Sequence, residues 1–298
     1  MLAKSMCLAV GVTLSMSFVA FSESSSSILK DFIAPPRTYS SAPLWVWNDM
    51  LTEDQVLATL RDLAAQEVKQ VFVHPRPGLM TPYLSKDWFA LWKAVLREAE
   101  VLDMNVWIYD ENSYPSGFAG GFVPEAMPES HGLGFTLETA TKTAAWTDNT
   151  LAVYRIANGA AQNISDAVRS GESQPEGEYV TALVNESKSL LRPGVTQKFL
   201  EITMDAYKRE IGDQFGKRVP GSFTDEPHLA PAGGFHWTPD LPEVMQQRYG
   251  YSILDTLPSL SQPVGDWRAV RHDYYQTLLQ LFIERWAKPY YDYCAANN

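Results

Sequence analysis

The chain has 298 residues, of which 45% are hydrophobic and 20% are charged, as in an ordinary soluble globular protein. This length allows one large domain or two modest ones. The formal net charge of −11 argues against nucleic acid or an anionic membrane surface as a partner, because either would be repelled at long range. Neutral ligands meet no such repulsion.

The N-terminal residues have the pattern of an export signal. Lys4 precedes an apolar run over residues 6–21, and the small residues Ala20 and Ser22 stand at alternate positions before a serine-rich stretch. A membrane anchor is the alternative, but the run contains Ser and Thr and is shorter than the roughly 20 apolar residues that span a bilayer. The sequence therefore predicts a signal peptide at 1–24, a secreted or periplasmic mature protein, and no membrane partner after cleavage.

Strand and helix patterns alternate after a predicted linker at 25–42. Each strand of such an alternation must cross back over the sheet through its helix, which predicts a parallel sheet. In chain order, the predicted elements are a strand at 44–47, a helix capped by Thr52, a strand at 70–73, a helix starting at Ser85, a strand at 106–109, a helical pattern at 195–215, a fourth core strand at 219–224, and helices at 241–249 and 267–293.

The first two of these helices carry apolar residues at helical spacing, which predicts one buried face on each. Two tryptophans four residues apart on the second helix are expected to be core packing residues. The apolar positions are Val56, Leu57, Leu60, Leu63 and Ala64 on the first helix, and Trp88, Phe89, Trp92, Val95, Leu96 and Ala99 on the second.

The alternation is interrupted by short strand-like runs between residues 131 and 184. They read GLGFTLETA, TLAVYRI and EYVTALV and are separated by Gly, Asn, Pro and Ser. Alternating patterns with such turn residues predict a small antiparallel β subdomain inserted at 131–190, after the third strand. After removal of the signal peptide Cys294 is the single cysteine, so no internal disulfide is expected.

Polar and ionisable residues follow all four predicted core strands. In parallel α/β folds the carboxyl ends of the strands are where ligands bind. Any one acid at such a place can instead be a helix cap or a turn residue, but four consecutive strands with the same feature favour a site. The four strand ends read Trp47-Asn48-Asp49, His74-Pro75-Arg76, Asp110-Glu111-Asn112 and Asp225-Glu226-Pro227-His228.

A protonated acid beside an ionised carboxylate is the equipment for glycoside hydrolysis. Glu226 is the candidate proton donor, and its neighbour Asp225 is expected to support it or to hold a hydroxyl or a cation, since adjacent strand residues point to opposite faces. Asp110 and Glu111 pose the same choice on the third strand and are further catalytic candidates. The candidate substrate-binding residues are Trp47, Asn48, His74, Arg76, Tyr109, Asp225 and His228.

A glycine-rich turn, YPSGFAGG, follows the third strand at 114–121. It lacks the lysine and the spacing of a phosphate-binding loop. We therefore predict an active-site loop whose glycines allow close approach of the backbone. Oxygen-bearing groups at this rim would also suit Ca²⁺, although their spacing is not that of a dedicated calcium loop.

Five stretches between residues 43 and 294 carry a resemblance to a known family. They read PLWVWND, LTEDQV, YLSKDWFALWKAVLREAEVLDMNVWIYDENSYPSGFAGG, KFLEITMDAYKREIGDQFGKRVPGSFTDEP and RYGYSILDTLP. Taken in order, they resemble glycoside hydrolase family 106, the α-L-rhamnosidases, and related barrel glycosidases. This resemblance implies a (β/α)8 TIM-barrel catalytic domain, removal of terminal α-L-rhamnose with inversion, two glutamates as acid and base, a calcium ion near the sugar and no organic cofactor. By motif position Glu226 resembles the family's glutamate at the end of the fourth strand.

The sequence departs from a complete barrel, because it contains about four β/α units where eight are needed. We therefore predict that residues 43–298 form the N-terminal half of a catalytic barrel, which depends on a missing C-terminal half for its second glutamate. The expected function is that of a secreted glycoside hydrolase fragment acting on plant or microbial oligosaccharides or polysaccharides. The alternatives are a retaining β-glycosidase of the barrel type and an inactive sugar-binding fragment.

Overall fold

The computed structural model describes residues 25–130, 133–186, 190–227 and 234–297. Two compact units divide at Ser40. The described part of the first unit consists of helix α1 (Ser25–Ile33) and a 3₁₀ turn (Arg37–Tyr39), both within the segment predicted as a linker. The predicted signal peptide lies outside the described residues. Among the described helices, none combines the length and the apolar character that a membrane span requires.

The second unit contains two sheets and the helices that pack on them. Its strands are β1 (Leu44–Trp47), β2 (Gln70–Pro75), β3 (Asn105–Tyr109), β4 (Leu133–Ala140), β5 (Thr150–Ala157), β6 (Ala160–Asn163), β7 (Glu178–Glu186), β8 (Ser222–Phe223) and β9 (Phe235–Trp237). Its helices are α2 (Glu53–Ala65), α3 (Lys86–Val101), α4 (Phe122–Ala126), α5 (Ser165–Arg169), α6 (Val195–Ile202), α7 (Met204–Ile211), α8 (Leu241–Tyr249), α9 (Trp267–Phe282) and α10 (Lys288–Ala296). A π-helical turn, Ile283–Ala287, joins the last two helices.

The first sheet is parallel, in the order β1-β2-β3-β8. The predicted parallel sheet of four β/α units is thereby confirmed, and the described strands form an open sheet, so the barrel stays a prediction. Strand β8 is shorter than the predicted strand at 219–224. Pro220 has no N–H group to donate to a ladder, and the turn of the chain at Glu226, with φ of 44°, ends the extended backbone.

Helices α2 and α3 begin at the predicted residues. The Thr52 hydroxyl accepts a hydrogen bond from the Gln55 backbone in a capping box, and the Ser85 hydroxyl accepts one from the backbone of Trp88. Every apolar residue predicted to lie on the inner face of α3 is buried. This face packs on one side of the parallel sheet, and the sheet residues in the same core are Trp45, Trp47, Val71, Val73, Val106 and Ile108.

The opposite side of the parallel sheet carries apolar residues that stay exposed. Leu44 is 46% exposed, Val46 is 47% exposed and Phe223 is 38% exposed. Strand register places Val46 beside His74 and Phe223 beside Tyr109, so this side also bears the candidate residues of β2 and β3. Within the described residues, helices therefore cover only one face of this sheet.

The second sheet is antiparallel, in the order β6-β5-β7-β4-β9, which confirms the predicted antiparallel strands. Two of its strands were not predicted. Strand β6 reads AAQN and has no strand-like alternation, and β9 has three residues that pair with β4 across about 100 positions of sequence. A second core joins this sheet to α8 and α9 through Phe135, Trp237 and Met245.

Two predicted helices are modified in the structure. The helical pattern at 195–215 is divided at Thr203, whose hydroxyl donates to the carbonyl oxygen of Phe199 at 2.7 Å. A threonine that bonds back to the preceding turn commonly bends a helix. The helix predicted at 267–293 is continuous through its π-helical turn and extends to Ala296.

Candidate active site at the strand ends

Three candidate residues meet at the carboxyl ends of β2, β3 and β8. The rings of His74 and Tyr109 have their centroids 4.0 Å apart. The Tyr109 hydroxyl donates a hydrogen bond of 2.5 Å to Oδ2 of Asp225. Parallel strands end at a common edge of the sheet, and this brings together residues from positions 74, 109 and 225. Burial, followed by the charge and hydrogen bond of Asp225, raises the pKa of Tyr109, so this phenol stays protonated and donates.

His74 is 4% exposed, and neither ring nitrogen has a hydrogen-bond partner in the described part of the chain. Burial lowers the pKa of His74, and the charge of Arg76 lowers it further, against an opposing effect of Asp225. The imidazole is therefore neutral near pH 7, with one N–H donor and one acceptor. Because a buried polar group without a partner costs free energy, these two nitrogens are suited to a ligand's hydroxyl groups.

Arg76 lies at the same rim, just after β2. Its guanidinium stands over the ring of Tyr114, 5.1 Å from the ring centroid. Tyr114 is about half exposed and belongs to the glycine-rich loop after β3. Arg76 is half-buried, and its guanidinium carries five N–H donors, so it is a candidate donor to oxygen atoms of a ligand.

Asp110 is fully buried and points to the helix-covered side of the sheet, close to Tyr290 of α10. Its Oδ1 accepts a hydrogen bond of 2.5 Å from the Ser116 hydroxyl. Its Oδ2 has no hydrogen-bond partner by geometry within the described residues. Burial raises the pKa of Asp110 to about 7, against the opposing effect of hydroxyl groups around it.

Glu111 is 2% exposed, and backbone N–H groups surround its carboxylate. Its Oε2 accepts from Gly117 at 3.1 Å and from Phe118 and Ala119 at 2.8 Å each. Its Oε1 accepts from Asn112 at 2.9 Å and from Gly120. Burial raises the pKa of Glu111, while these N–H groups oppose the shift. Both oxygens face the loop, so the geometry gives this carboxylate an anchoring role and not the predicted catalytic one.

Glu226 is exposed and directly follows Asp225, at the point where the chain leaves the strand. Its φ of 44° lies in the left-handed region, which residues with a side chain rarely adopt. The carboxylate of this residue is accessible at the same strand ends that carry His74 and Tyr109. Asn48 is also exposed, at the end of β1, while His228 lies outside the described residues.

Trp47 is placed differently from the expectation. It has no exposed surface and packs edge-on against Trp45 and Trp88, with ring centroids 5.3 and 5.0 Å away. Alternate strand residues point to opposite faces, and position 47 shares the helix-covered face with position 45. The structure therefore makes Trp47 a core residue and removes it from the substrate-binding candidates.

Ser116 is the site residue that sequence reasoning did not single out. It is fully buried in the glycine-rich loop and bonds both to Asp110 and to the backbone of Asp225. The loop approaches its surroundings closely at Gly117, where an added Cβ would lie 2.3 Å from a side-chain carbon of Leu190. The position of Ser116 between a proline and a glycine was the available sequence signal. Its two partners, Asp110 and Asp225, are more than 100 positions apart from each other, so no local pattern connects them.

Among the described residues, no group of three or more His, Cys, Asp or Glu side chains is arranged to hold a metal ion. The tyrosine hydroxyl already occupies one oxygen of Asp225, and the five N–H donors occupy both oxygens of Glu111. The described residues therefore form no such cluster for the calcium ion that the resemblance implied, and calcium stays a prediction.

Comparisons with known proteins address the fold. No family model matches the chain, and no curated protein matches it significantly. The solved structure of rhamnosidase from Novosphingobium sp. PP1Y aligns with 90% of this chain at a TM-score of 0.61 and 12% sequence identity. The chain shares its fold with part of a rhamnosidase. The aligned region is 46% of the rhamnosidase chain, so the present chain spans less than half of that length.

Proposed function

We propose that this chain is the acid-bearing part of a glycoside hydrolase that removes terminal sugars, with α-L-rhamnosides as the first candidate substrates. One observation carries the proposal: an exposed glutamate, Glu226, directly follows Asp225, which forms a polar cluster with the buried residues Tyr109 and His74 at the strand ends. The similarity of the fold to part of a rhamnosidase supports α-L-rhamnosides as the first substrates to test.

The proposed roles follow from the exposure of Glu226 and from the unused hydrogen-bonding capacity of Asp225 and His74. Glu226 donates its proton to the glycosidic oxygen as the bond to the leaving group breaks, which is the general-acid step of such hydrolases. Asp225, held by Tyr109, accepts a hydrogen bond from a sugar hydroxyl through its second oxygen. His74 supplies one donor and one acceptor to further hydroxyl groups. Arg76 donates to a sugar oxygen from the edge of the site.

The second carboxylate, which activates water, is proposed to come from further β/α units. Neither Asp110 nor Glu111 is placed for that role, since the first points to the helix-covered side and the second is bonded to the loop. In the described residues, β1 and β8 each pair on one side only, and on the face without helices Leu44 and Val46 of β1 and Phe223 of β8 are exposed. Further strands would close these edges and cover this face, as in an eight-stranded barrel.

The test is hydrolysis of a panel of 4-nitrophenyl glycosides, led by the α-L-rhamnoside, by the chain together with the further β/α units that are proposed to supply the second carboxylate. Binding of L-rhamnose is measured on the same protein by NMR titration. Glu226→Gln should abolish hydrolysis and keep binding. Glu67→Gln is the matched control, because Glu67 is also exposed with a positive φ of 63° but precedes β2, at the opposite ends of the strands. Binding without hydrolysis would favour the sugar-binding alternative, and neither binding nor hydrolysis of any sugar would refute the proposal.

A further inference from the structure

Ser116, in the loop after β3, makes two hydrogen bonds to Asp225 beyond the end of β8 and a third to Asp110 at the end of β3. Its backbone N–H donates to the carbonyl oxygen of Asp225 at 2.8 Å. The Asp225 N–H donates to the Ser116 hydroxyl oxygen, also at 2.8 Å. The hydroxyl in turn donates to Oδ1 of Asp110 at 2.5 Å. The backbone N–H and the carbonyl oxygen of Asp225 are thus both bonded to Ser116, the first to its hydroxyl and the second to its backbone N–H.

The loop that carries Ser116 is itself held in place. Glu111 accepts five backbone N–H groups from residues 112–120, four of them from the consecutive residues 117–120. A carboxylate with this many donors holds a loop in one conformation, because each lost bond leaves a buried N–H group unsatisfied. The fixed loop therefore provides a rigid support for the end of β8.

The supported residue immediately precedes Glu226. A left-handed backbone at a residue with a side chain is unfavourable and persists only where neighbouring structure determines it. The two hydrogen bonds on Asp225, one on each side of its Cα, fix the chain direction at that point. The bond from Tyr109 fixes the Asp225 side chain as well. The backbone that leads into Glu226 is therefore held in one position.

We infer that Ser116 and Asp110 are positioning residues that set the orientation of Glu226 through the backbone of Asp225. This inference rests on the proposed function for Glu226, but its structural part holds independently of activity. Both residues are fully buried, and their side chains bond to each other on the helix-covered side of the sheet, opposite to the face that carries His74 and Tyr109, so neither touches a sugar. Asp110 acts as the acceptor that orients the Ser116 hydroxyl, so that the hydroxyl oxygen faces the Asp225 N–H.

The test compares three variants with a matched control. Ser116→Ala and Asp110→Ala remove the bridge. Asp110→Asn keeps an acceptor oxygen for the serine hydroxyl, and its amide can donate toward the hydroxyls near the other oxygen. Ser130→Ala is the control, because Ser130 is equally buried and its hydroxyl has no partner in the described residues. Far-UV circular dichroism and thermal unfolding identify the variants that fold.

The first readout is amide hydrogen exchange at residues 223–226, which needs no activity. Ser116→Ala or Asp110→Ala should speed exchange at least tenfold, while Asp110→Asn and Ser130→Ala stay within about twofold of the unaltered chain. Unchanged exchange in both alanine variants would overturn the inference. If one alanine variant fails to fold, the other carries the test. If neither alanine variant folds, Asp110→Asn carries the test. Faster amide exchange in Asp110→Asn would then overturn the inference, and unchanged exchange would support it.

The second readout is hydrolysis of 4-nitrophenyl α-L-rhamnoside by the chain together with the further β/α units that are proposed to supply the second carboxylate. The alanine variants should lose about 10- to 100-fold in kcat, since small misplacements of a catalytic group have such effects, with KM changed less than threefold. Asp110→Asn should keep kcat within about threefold. If Asp110→Asn lost activity as fully as Asp110→Ala, its charge would be required and the positioning role would be refuted. An inactive chain with the expected exchange pattern would refute the proposed function alone.

Discussion

The anchoring of the glycine-rich loop predicts that Glu111→Gln destabilises the fold. The glutamine oxygen can keep the three N–H donors that face Oε2, from residues 117–119. The amide nitrogen then faces the N–H groups of Asn112 and Gly120, which lose their acceptor. A buried donor without a partner costs roughly 1–3 kcal/mol. Because Asn112 is half-buried and Gly120 is exposed, water can partly replace the lost acceptor, so the expected loss in free energy of unfolding is about 1–3 kcal/mol for the two together. Denaturant unfolding followed by tryptophan fluorescence measures it.

Glu226→Gln is the comparison for this measurement. Its side chain is exposed, so the substitution should leave the unfolding midpoint within about 0.2 M urea of the unaltered chain, consistent with the small effects of exposed substitutions. An unfolding midpoint for Glu111→Gln equal to that of Glu226→Gln would show that the loop does not depend on the carboxylate. Loss of hydrolysis by Glu111→Gln with full stability would restore the catalytic assignment.

Three further predictions concern buried groups. Burial raises the pKa of Asp110 to about 7, so the protonated carboxyl stabilises the fold fully below the unfolded-state pKa near 4, and this stabilisation is lost as the pH rises through 7. Asp110→Asn does not titrate. Its free energy of unfolding, measured in urea titrations, should therefore rise relative to that of the unaltered chain by up to roughly 4 kcal/mol between pH 4 and pH 8. Tyr109→Phe removes the hydrogen bond to Asp225 and should weaken L-rhamnose binding about 5- to 50-fold in NMR titrations, with stability nearly retained. Trp47→Ala should lower the free energy of unfolding by about 3–5 kcal/mol in denaturant unfolding. Because Trp47 is a core residue, the affinity for L-rhamnose should stay similar.

The local elements were predictable from sequence where one physical signal dominated. Thr52 and Ser85 mark the starts of α2 and α3 because their hydroxyl groups accept from the first helical turn. The apolar spacing of α3 identifies its buried face for the same local reason. The outcome differs for β9, whose three residues obtain their hydrogen bonds from a strand about 100 positions earlier, a partner that no local pattern encodes.

The candidate site was predictable only in part, because side-chain direction depended on strand parity. Tyr109 and Asp225 were expected near each other since parallel strands end together, and they are hydrogen-bonded. Trp47 follows the same rule, but its strand reads LWVW and is apolar on both faces, so its sequence does not indicate which face is covered. The loop partners of Glu111 are backbone N–H groups, which leave no trace in residue type.

Strand β9 has a consequence for how this protein could be re-engineered. It follows β8 along the chain by only a short segment, yet it completes the edge of the antiparallel sheet next to β4. The segment that begins with Glu226 is thus tethered at one end to the parallel sheet and at the other to the antiparallel sheet. Deletion of residues 131–190 would remove β4 and leave β9 without its pairing strand. Transfer of the antiparallel sheet to another scaffold would have to include Phe235–Trp237.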